Sequence, residues 1–319
     1  MSALHPQVAA LLERAAQSPL PAYYDVPAAV ARRLYRDTRG ALTPDPPAVE
    51  YVQLMMAPGK SGPVPFRTYR PKGAGKDEIL PALVYFHGGG WVIGDLDTHD
   101  VVCRTLCNAA RCAVFSVEYR KAPEAPFPAA VDDCWSALTA IAGGGDILKI
   151  NPKQLAVGGD SAGGNLATVM ALMARDAGGP AFSSPIAFQV LIYPGCDQRM
   201  AHDSITRNGV GYLLTKKSME YFRGHYLPDP KDWTDWRASP LLAKSLKGLP
   251  PAYVITAGFD PLVDEGKEYA ERMQKEGVAV EYKNHPDMVH GFITMGRVID
   301  TANTALADCA RALKKAWGT

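Results

Sequence analysis

Residues 157–165 read Val-Gly-Gly-Asp-Ser-Ala-Gly-Gly-Asn, and this run is the most informative feature of the chain. Residues 159–163 match the pattern G-x-S-x-G. The apolar run 155–157 comes before the pattern, and the helix-like segment 165–175 follows it. A strand, a sharp turn and a helix in this order are typical of a nucleophile elbow, which exposes a serine hydroxyl above a sheet. Glycine suits such a turn because it accepts unusual dihedral angles. A plain glycine-rich turn with an exposed serine is the alternative.

A second glycine-rich segment, His87-Gly88-Gly89-Gly90-Trp91, follows the apolar run 83–86. Attack of a serine on a carbonyl group places negative charge on the carbonyl oxygen, and fixed backbone N–H groups stabilise that charge. Consecutive glycines let a backbone approach a substrate and direct its N–H groups inward. A phosphate-binding loop is the alternative, but its pattern requires Lys and then Ser or Thr after the last glycine, where this chain has Trp91 and Val92.

Strand-like and helix-like segments alternate along most of the chain. Strands are predicted at residues 50–55, 64–69, 82–86, 113–119, 155–158, 188–193, 252–257 and 278–282. Helices are predicted at residues 97–110, 128–142, 162–176, 264–276 and 301–317. Several strand segments are nearly continuous apolar runs, as expected of parallel strands that are covered on both faces. The alternation predicts an α/β fold with a mainly parallel, doubly wound sheet.

Five segments together resemble the hormone-sensitive-lipase-like branch of the α/β-hydrolases, also called bacterial esterase family IV. They span residues 87–91, 119–124, 159–164, 260–265 and 290–292, in the order of the family. The resemblance implies an α/β-hydrolase fold with an eight-stranded, mainly parallel sheet flanked by helices, and with an antiparallel second strand. It also implies a helical cap over the active site. Its chemistry would be ester hydrolysis through a Ser-His-Asp triad and an acyl-enzyme intermediate.

Two regions fall outside the strand–helix alternation. Residues 1–45 contain amphipathic pieces, and residues 195–250 form a long, aromatic-rich insertion between two strands. A connection of that length inside a compact domain is usually functional. By resemblance, residues 1–45 form the N-terminal part of the cap, and residues 195–250 form its second part and the return to the core. Residues 46–194 and 251–319 form the hydrolase core of one catalytic domain. A surface excursion packed on the sheet is the alternative to a cap.

The base of the predicted triad must come from a histidine, because a serine hydroxyl is a weak nucleophile at neutral pH. In this fold the chain order is Ser, then Asp or Glu, then His. The histidines after Ser161 are His202, His225, His285 and His290. His202 and His225 precede the later strands, so the order disfavours them. His285 is interpreted as a surface turn residue, and the resemblance selects His290.

The acid of the triad is predicted to be Asp260, which follows the strand segment 252–257 at the edge of the sheet where such folds place their chemistry. It would hold the imidazole of His290 in the right tautomer and stabilise the imidazolium. Asp197 is a rival, because its strand also points to the site. Asp264 and Glu265 are expected to cap the following helix.

The predicted oxyanion hole consists of the backbone N–H groups of Gly88, Gly89 and Ala162. Ala162 directly follows the nucleophile and opens a helix, whose N-terminus favours negative charge. His87 is interpreted as a structural hydrogen-bonding residue, and Asp160 is expected to turn away from the serine and brace the glycine loop.

Other residues near these motifs have predicted roles in the pocket or in the scaffold. Trp91, Tyr193 and Leu213 are the candidates for contacts with the substrate. Arg120 and Glu124 are interpreted as structural ion-pair partners.

The composition excludes several classes of function. The 319 residues carry a net charge of +1 at pH 7, and no basic run is longer than a residue pair, so neither nucleic acid nor an anionic membrane is an expected partner. The six cysteines are scattered, and the start of the chain lacks the pattern of a signal peptide, which favours a cytoplasmic location. His99, Cys103 and Cys107 share a helix face, but packing is a better interpretation than metal binding.

The predicted function is that of a carboxylesterase, a carboxylic ester hydrolase that acts on a small-molecule ester. The resemblance implies short to medium acyl chains, no metal or organic cofactor, and a possible homodimer. An amidase or arylacetamide-deacetylase-like hydrolase is an alternative, because the triad does not distinguish an amide from an ester. A non-catalytic small-molecule receptor on the same fold is another, and His290 at the position of the base counts against it.

Overall fold

The computed structural model describes residues 3–178 and 185–319. Its centre is an eight-stranded sheet in the order β1-β2-β4-β3-β5-β6-β7-β8. The strands are β1 Tyr51–Ala57, β2 Val64–Arg70, β3 Leu80–Phe86, β4 Ala113–Val117, β5 Ile150–Asp160, β6 Phe188–Ile192, β7 Ala252–Phe259 and β8 Val280–Val289. β2 runs antiparallel to both of its neighbours, and β3 to β8 are mutually parallel. The predicted eight-stranded α/β-hydrolase sheet and its antiparallel second strand are confirmed.

Ten α-helices surround this sheet in the described part of the chain. They are α1 Pro6–Ala16, α2 Ala28–Leu42, α3 Asp100–Ala110, α4 Ala129–Gly143, α5 Gly145–Leu148, α6 Ala162–Ala177, α7 Asp203–Arg207, α8 Lys216–Tyr226, α9 Val263–Lys275 and α10 Asp300–Trp317. None of the helices in residues 3–178 and 185–319 is long and apolar enough to cross a membrane.

Two apolar clusters, one on each face of the sheet, form the core. α3 and α10 cover one face, where Leu106 and Leu313 are fully buried. α4, α6 and α9 cover the other face, where Leu138, Leu166 and Tyr269 are fully buried. Because both faces are covered, the central strands β3, β4 and β6 are buried along their whole lengths, and this explains their continuous apolar sequences.

Parts of the two regions outside the alternation, residues 23–39 and 195–222, lie at the edge of the sheet where the parallel strands end. α2 and α8 come from the two separate regions, and both border the cavity above that edge. Tyr221 of α8 donates its hydroxyl hydrogen to the carbonyl oxygen of Val26, just before α2, at 3.1 Å. α1 packs instead on the core cluster under α3 and α10, where Val8 and Leu11 are buried, and the side-chain amide of Gln7 donates to Asp300 at the start of α10.

Candidate active site

Ser161 occupies the sharp turn between β5 and α6. Its dihedral angles are φ 56° and ψ −119°, in a region that side-chain-bearing residues rarely adopt. Its backbone N–H donates to the carbonyl oxygen of Ile192 at 2.9 Å, which ties the turn to the end of β6. The turn leaves no room for larger neighbours, since a Cβ atom on Gly163 would lie 1.8 Å from the carbonyl oxygen of Phe86. This geometry matches the predicted elbow.

The structure brings Ser161, His290 and Asp260 into one chain of hydrogen bonds. The Nδ1 atom of His290 lies 2.6 Å from Oδ2 of Asp260, and its Nε2 atom lies 2.8 Å from Oγ of Ser161. Because the carboxylate can only accept, Nδ1–H donates to Asp260 and Nε2 is left to accept from the serine hydroxyl. The fully buried Asp260 also accepts from the backbone N–H of Leu262 at 2.8 Å, which fixes its carboxylate.

Asp197 and His285, the alternatives to Asp260 and His290, lie outside this hydrogen-bonded chain. Asp197 is buried and forms an ion pair with Arg199 at 2.7 Å, so its carboxylate does not reach His290. The interpretation of His285 as a surface turn residue is wrong. β8 continues to Val289, and the ring of His285 is buried within that strand, 5.2 Å from the ring of Phe292.

The helix-capping prediction for Asp264 and Glu265 is also wrong. Asp264 accepts from the backbone N–H of Ser204 at 2.9 Å, on another element. Glu265 is 1% exposed and accepts from the backbone N–H groups of Cys196 and Asp197 at 2.6 and 3.2 Å. Burial raises the pKa of Glu265 well above its usual value. Both carboxyl groups therefore hold loops beside the site.

Asp160 braces the glycine loop, as expected. Its Oδ1 atom accepts from the hydroxyl of Tyr85 at 2.8 Å and from the backbone N–H of Gly88 at 3.0 Å, and the buried His99 lies 3.3 Å from Oδ2. The prediction of Gly88 as an oxyanion donor is therefore wrong, because its N–H group already has an acceptor.

Three other backbone N–H groups are available beside the serine. Gly89, Gly90 and Ala162 line the cavity together with Ser161. Their N–H groups donate to no acceptor in the described part of the chain. Gly89 and Gly90 have φ angles of 122° and 58°, which turn the loop toward the serine. Gly90, the third glycine of the run, therefore has a free N–H group at the cavity, whereas Gly88 does not.

His87 has the structural role that its position predicts. Its Nδ1–H group donates to the carbonyl oxygen of Gly88 at 2.8 Å, and its ring stacks on Tyr119 at a centroid distance of 4.3 Å. The hydroxyl of Tyr119 donates to the carbonyl oxygen of His87 at 2.7 Å. Burial, with Lys121 nearby, lowers the pKa of His87 to about 3, so the ring is neutral at physiological pH.

Arg120 and Glu124 form ion pairs, but with different partners. Arg120 pairs with Asp133 of α4 at 2.7 Å, and Glu124 pairs with Arg32 of α2 at 2.5 Å. Arg32 also donates to the carbonyl oxygen of Val92 at 2.8 Å. Arg32 therefore joins α2 both to Glu124 and to the loop that follows the glycine run.

Two of the three predicted substrate contacts line the cavity above Ser161. Trp91, whose ring stacks on Tyr226 at 4.4 Å, forms part of the wall, and so does Leu213. The prediction for Tyr193 is wrong, because its fully buried ring lies beside His290 at a centroid distance of 4.6 Å rather than on the wall.

Among the described residues, no group of three or more His, Cys, Asp or Glu side chains could hold a metal ion.

Several wall residues carry no signal in the sequence. They include Tyr35 and Arg39 of α2 and Met219 and Phe222 of α8. The amphipathic pattern of these helices shows that one face is covered, but it does not reveal that a cavity rather than the core lies beneath it.

The comparisons with known proteins agree with the fold and show an ester hydrolase. Residues 83–294 match a family model described as alpha/beta hydrolase fold. The carboxylic ester hydrolase LipN of Mycobacterium tuberculosis is 43% identical, over 83% of this chain and 70% of its own length. The ethyl acetate hydrolase of Pseudomonas putida is 35% identical, over 98% of this chain and 99% of its own. A solved structure of the ester hydrolase EH1AB1, from the metagenome of Lake Arreo, superposes with a TM-score of 0.94 at 40% identity, over 99% of this chain and 100% of its own.

The strand order of the sheet, the sharp turn at Ser161 and the match to the family model together define this protein as an α/β-hydrolase. Within that class, the chain belongs to the hormone-sensitive-lipase-like family, bacterial esterase family IV.

Proposed function

We propose that this carboxylic ester hydrolase cleaves its substrate with Ser161 as the nucleophile, His290 as the general base and Asp260 as the orienting acid. The observation that carries the proposal is the unbroken hydrogen-bond chain from Ser161 Oγ to the carboxylate of Asp260, with distances of 2.8 and 2.6 Å. Relatives that are 43% and 42% identical are ester hydrolases by name, which supports the same reaction here.

The first half of the reaction forms an acyl-enzyme. His290 takes the proton from Ser161 while the serine oxygen attacks the ester carbonyl. The N–H groups of Gly89, Gly90 and Ala162 donate to the resulting oxyanion. His290 then gives its proton to the departing alcohol, and the acyl group stays on the serine.

The second half of the reaction releases the acid. A water molecule takes the place of the alcohol, and His290 removes its proton as it attacks the acyl carbonyl. The same three N–H groups stabilise the second oxyanion. Collapse of this intermediate returns the proton to Ser161. Neither half of the reaction requires a metal ion or an organic cofactor.

The acyl group is proposed to be short or medium in length. Trp91, Leu213 and Phe222 give the cavity an apolar wall suited to a hydrocarbon chain. A cap built from residues 1–45 and 195–250, with α2 and α8 over the serine, limits the length of that chain. The Pseudomonas putida relative is named for ethyl acetate, a short ester. Cytoplasmic location and homodimer formation remain predictions.

Hydrolysis of p-nitrophenyl esters from acetate to palmitate tests this proposal. Wild type is compared with Ser161→Ala and Asp260→Asn. We expect a maximum at short or medium chains, loss of nearly all activity in Ser161→Ala, and a fall in kcat of about 10⁴-fold in Asp260→Asn. A maximum at palmitate would contradict the acyl length, and full activity of Ser161→Ala would contradict the nucleophile.

Paired anilide and phenyl-ester substrates test the amidase alternative. We expect the larger kcat/KM on the phenyl ester, and a larger value on the anilide would favour the amidase. The receptor alternative predicts binding without turnover, which the hydrogen bond from Ser161 to His290 disfavours.

A further inference from the structure

Arg39 places a positive charge on the wall of the substrate cavity. It lies in the last turn of α2 and lines the cavity together with Ser161, His290 and Gly291. Its Nη2 atom is 3.1 Å from the position that a Cβ atom on Gly291 would occupy, so the guanidinium is packed against the residue that follows the base.

The guanidinium of Arg39 has only neutral partners. Its Nη1 atom donates to the carbonyl oxygen of Gly291 at 3.4 Å and to the hydroxyl of Thr294 at 3.3 Å, and its central carbon lies 5.0 Å from the ring centre of Tyr35. No carboxylate forms an ion pair with Arg39 in the described part of the chain. Tyr35 also hydrogen-bonds to the Arg39 side chain and is likewise neutral, and no hydrogen bond from Nε or Nη2 reaches a carboxylate among these residues.

Other arginines of the same helix differ from Arg39 in this respect. Arg32 pairs with Glu124 at 2.5 Å, and Arg36 pairs with Asp95 at 2.5 Å. Arg33 is exposed to solvent, where water satisfies its charge. Arg39 is the half-buried arginine of α2 that faces the cavity without a carboxylate partner.

The carboxylates near the cavity are already engaged. Asp160 accepts from Tyr85 and from the backbone N–H of Gly88, and Asp260 accepts from His290 and from the backbone N–H of Leu262. The charge of Arg39 therefore has no strong protein partner at short range. A planar guanidinium with free N–H groups binds a carboxylate through two parallel hydrogen bonds.

We propose that the preferred esters of this enzyme carry a free carboxylate, in the acyl or the alcohol part, that binds Arg39. The proposal rests on the proposed function, since it assigns the substrate class of the same cavity. Arg39 then determines specificity: a carboxylate-bearing ester gains charge-assisted hydrogen bonds that its neutral analogue lacks.

Two matched pairs of esters test the proposal and distinguish the two positions of the carboxylate. Monoethyl succinate and ethyl succinamate place a carboxylate or a neutral amide in the acyl part. Acetoxyacetate and acetoxyacetamide do the same in the alcohol part. Titration of the released acid at constant pH gives kcat/KM for each ester. The readout is the ratio of kcat/KM between the charged and the neutral member of a pair.

Arg39→Gln removes the charge and keeps a polar side chain. We expect the ratio for at least one pair to fall about tenfold to a hundredfold in this variant, because charge-assisted hydrogen bonds to the substrate are lost. If Arg39 had only a structural role, the substitution would change kcat/KM equally for the charged and the neutral ester of a pair. Arg33→Gln, which removes an exposed charge from the same helix, is the control and leaves both ratios unchanged. Unchanged ratios for both pairs in Arg39→Gln would overturn the proposal.

The wild-type enzyme provides a second test that does not depend on folding of a variant. We expect a lower KM for the charged member of at least one pair, and a difference that shrinks as salt is added. An equal or higher KM for both charged esters would overturn the proposal. The function is tested separately: Ser161-dependent hydrolysis of p-nitrophenyl acetate with no charge preference would leave the esterase intact and reject the role of Arg39.

Discussion

The backbone of Ser161 is strained, and this strain positions its side chain. A non-glycine residue at φ 56° costs about 1–3 kcal/mol, and the surrounding contacts hold it there. The backbone hydrogen bond from Ser161 to Ile192 is one such contact, and the close packing of Gly163 against Phe86 is another. The strain keeps the hydroxyl at 2.8 Å from His290 before any substrate arrives.

His87 links the stability of the glycine loop to pH. Its pKa is about 3 in the folded protein and about 6.5 in the unfolded chain. Below pH 6.5 the unfolded chain therefore binds a proton that the folded protein does not, and stability falls as the pH drops toward 3. Relative to neutral pH, the expected loss at pH 5 is about 2 kcal/mol.

His87→Asn tests this link, because asparagine keeps a side-chain N–H group but does not titrate. Denaturant unfolding at pH 7.5 and pH 5 gives the loss of stability for each protein. We expect the loss in His87→Asn to be smaller than in wild type by about 2 kcal/mol, whatever the variant costs at pH 7.5. The same loss in both proteins would show that His87 is not the responsible group.

The sequence predicts the proposed triad more completely than the proposed backbone donors. Chain order narrows the candidates, and the family resemblance selects Asp260 and His290 among them. In the structure Ser161, Asp260 and His290 each come directly after a parallel strand, and these strand ends meet at one edge of the sheet. Gly88 was the wrong donor because the side chain of Asp160 turns back toward the loop and accepts its N–H. The sequence predicts that Asp160 braces the loop, but it does not show which N–H group of the loop the carboxylate accepts.

The elements around Ser161 approach each other too closely for any side chain. A Cβ atom on Gly163, in the first turn of α6, would overlap the carbonyl oxygen of Phe86 at the end of β3. We expect Gly163→Ala to force α6 away from the sheet, to lose about 3 kcal/mol of stability and to reduce kcat. Thermal unfolding and ester hydrolysis measure the two effects.

Gly40→Ala is the matched control for this substitution. Gly40 lies within α2, and a Cβ atom there would meet nothing within 4 Å. Alanine favours the helix over glycine by about 0.5–1 kcal/mol, so we expect an unchanged or slightly higher Tm. A stable, active Gly163→Ala protein would contradict the close approach of α6 and β3.

Strands are predictable where they are buried and less so at the edge of the sheet. Apolar runs locate β3, β4 and β6 to within a few residues. β8 was predicted to end at residue 282 but continues to Val289. The prediction stopped early because the later residues are mostly polar, and they form a strand only through their pairing with β7. Conversely, the predicted strand 188–193 ends at Ile192, because Tyr193 has a φ angle of 35°.

At the scale of the whole molecule, two distant regions of the chain meet above one sheet edge. Residues 23–39 and 213–222 both contribute to the wall over Ser161. The family resemblance predicts this meeting, whereas composition and periodicity only show that the two regions differ from the core. Chemistry thus comes from the ends of the parallel strands, and the substrate wall comes from the layer over them.

Covalent labelling tests the central claim, that Ser161 is the nucleophile, most directly. The intact protein is treated with diethyl p-nitrophenyl phosphate, which transfers a phosphoryl group to an activated serine, and its mass is measured. We expect one adduct per chain, located on Ser161 by peptide mapping, with parallel loss of esterase activity and no adduct in Ser161→Ala. An adduct on another residue, or activity that survives full labelling of Ser161, would contradict it.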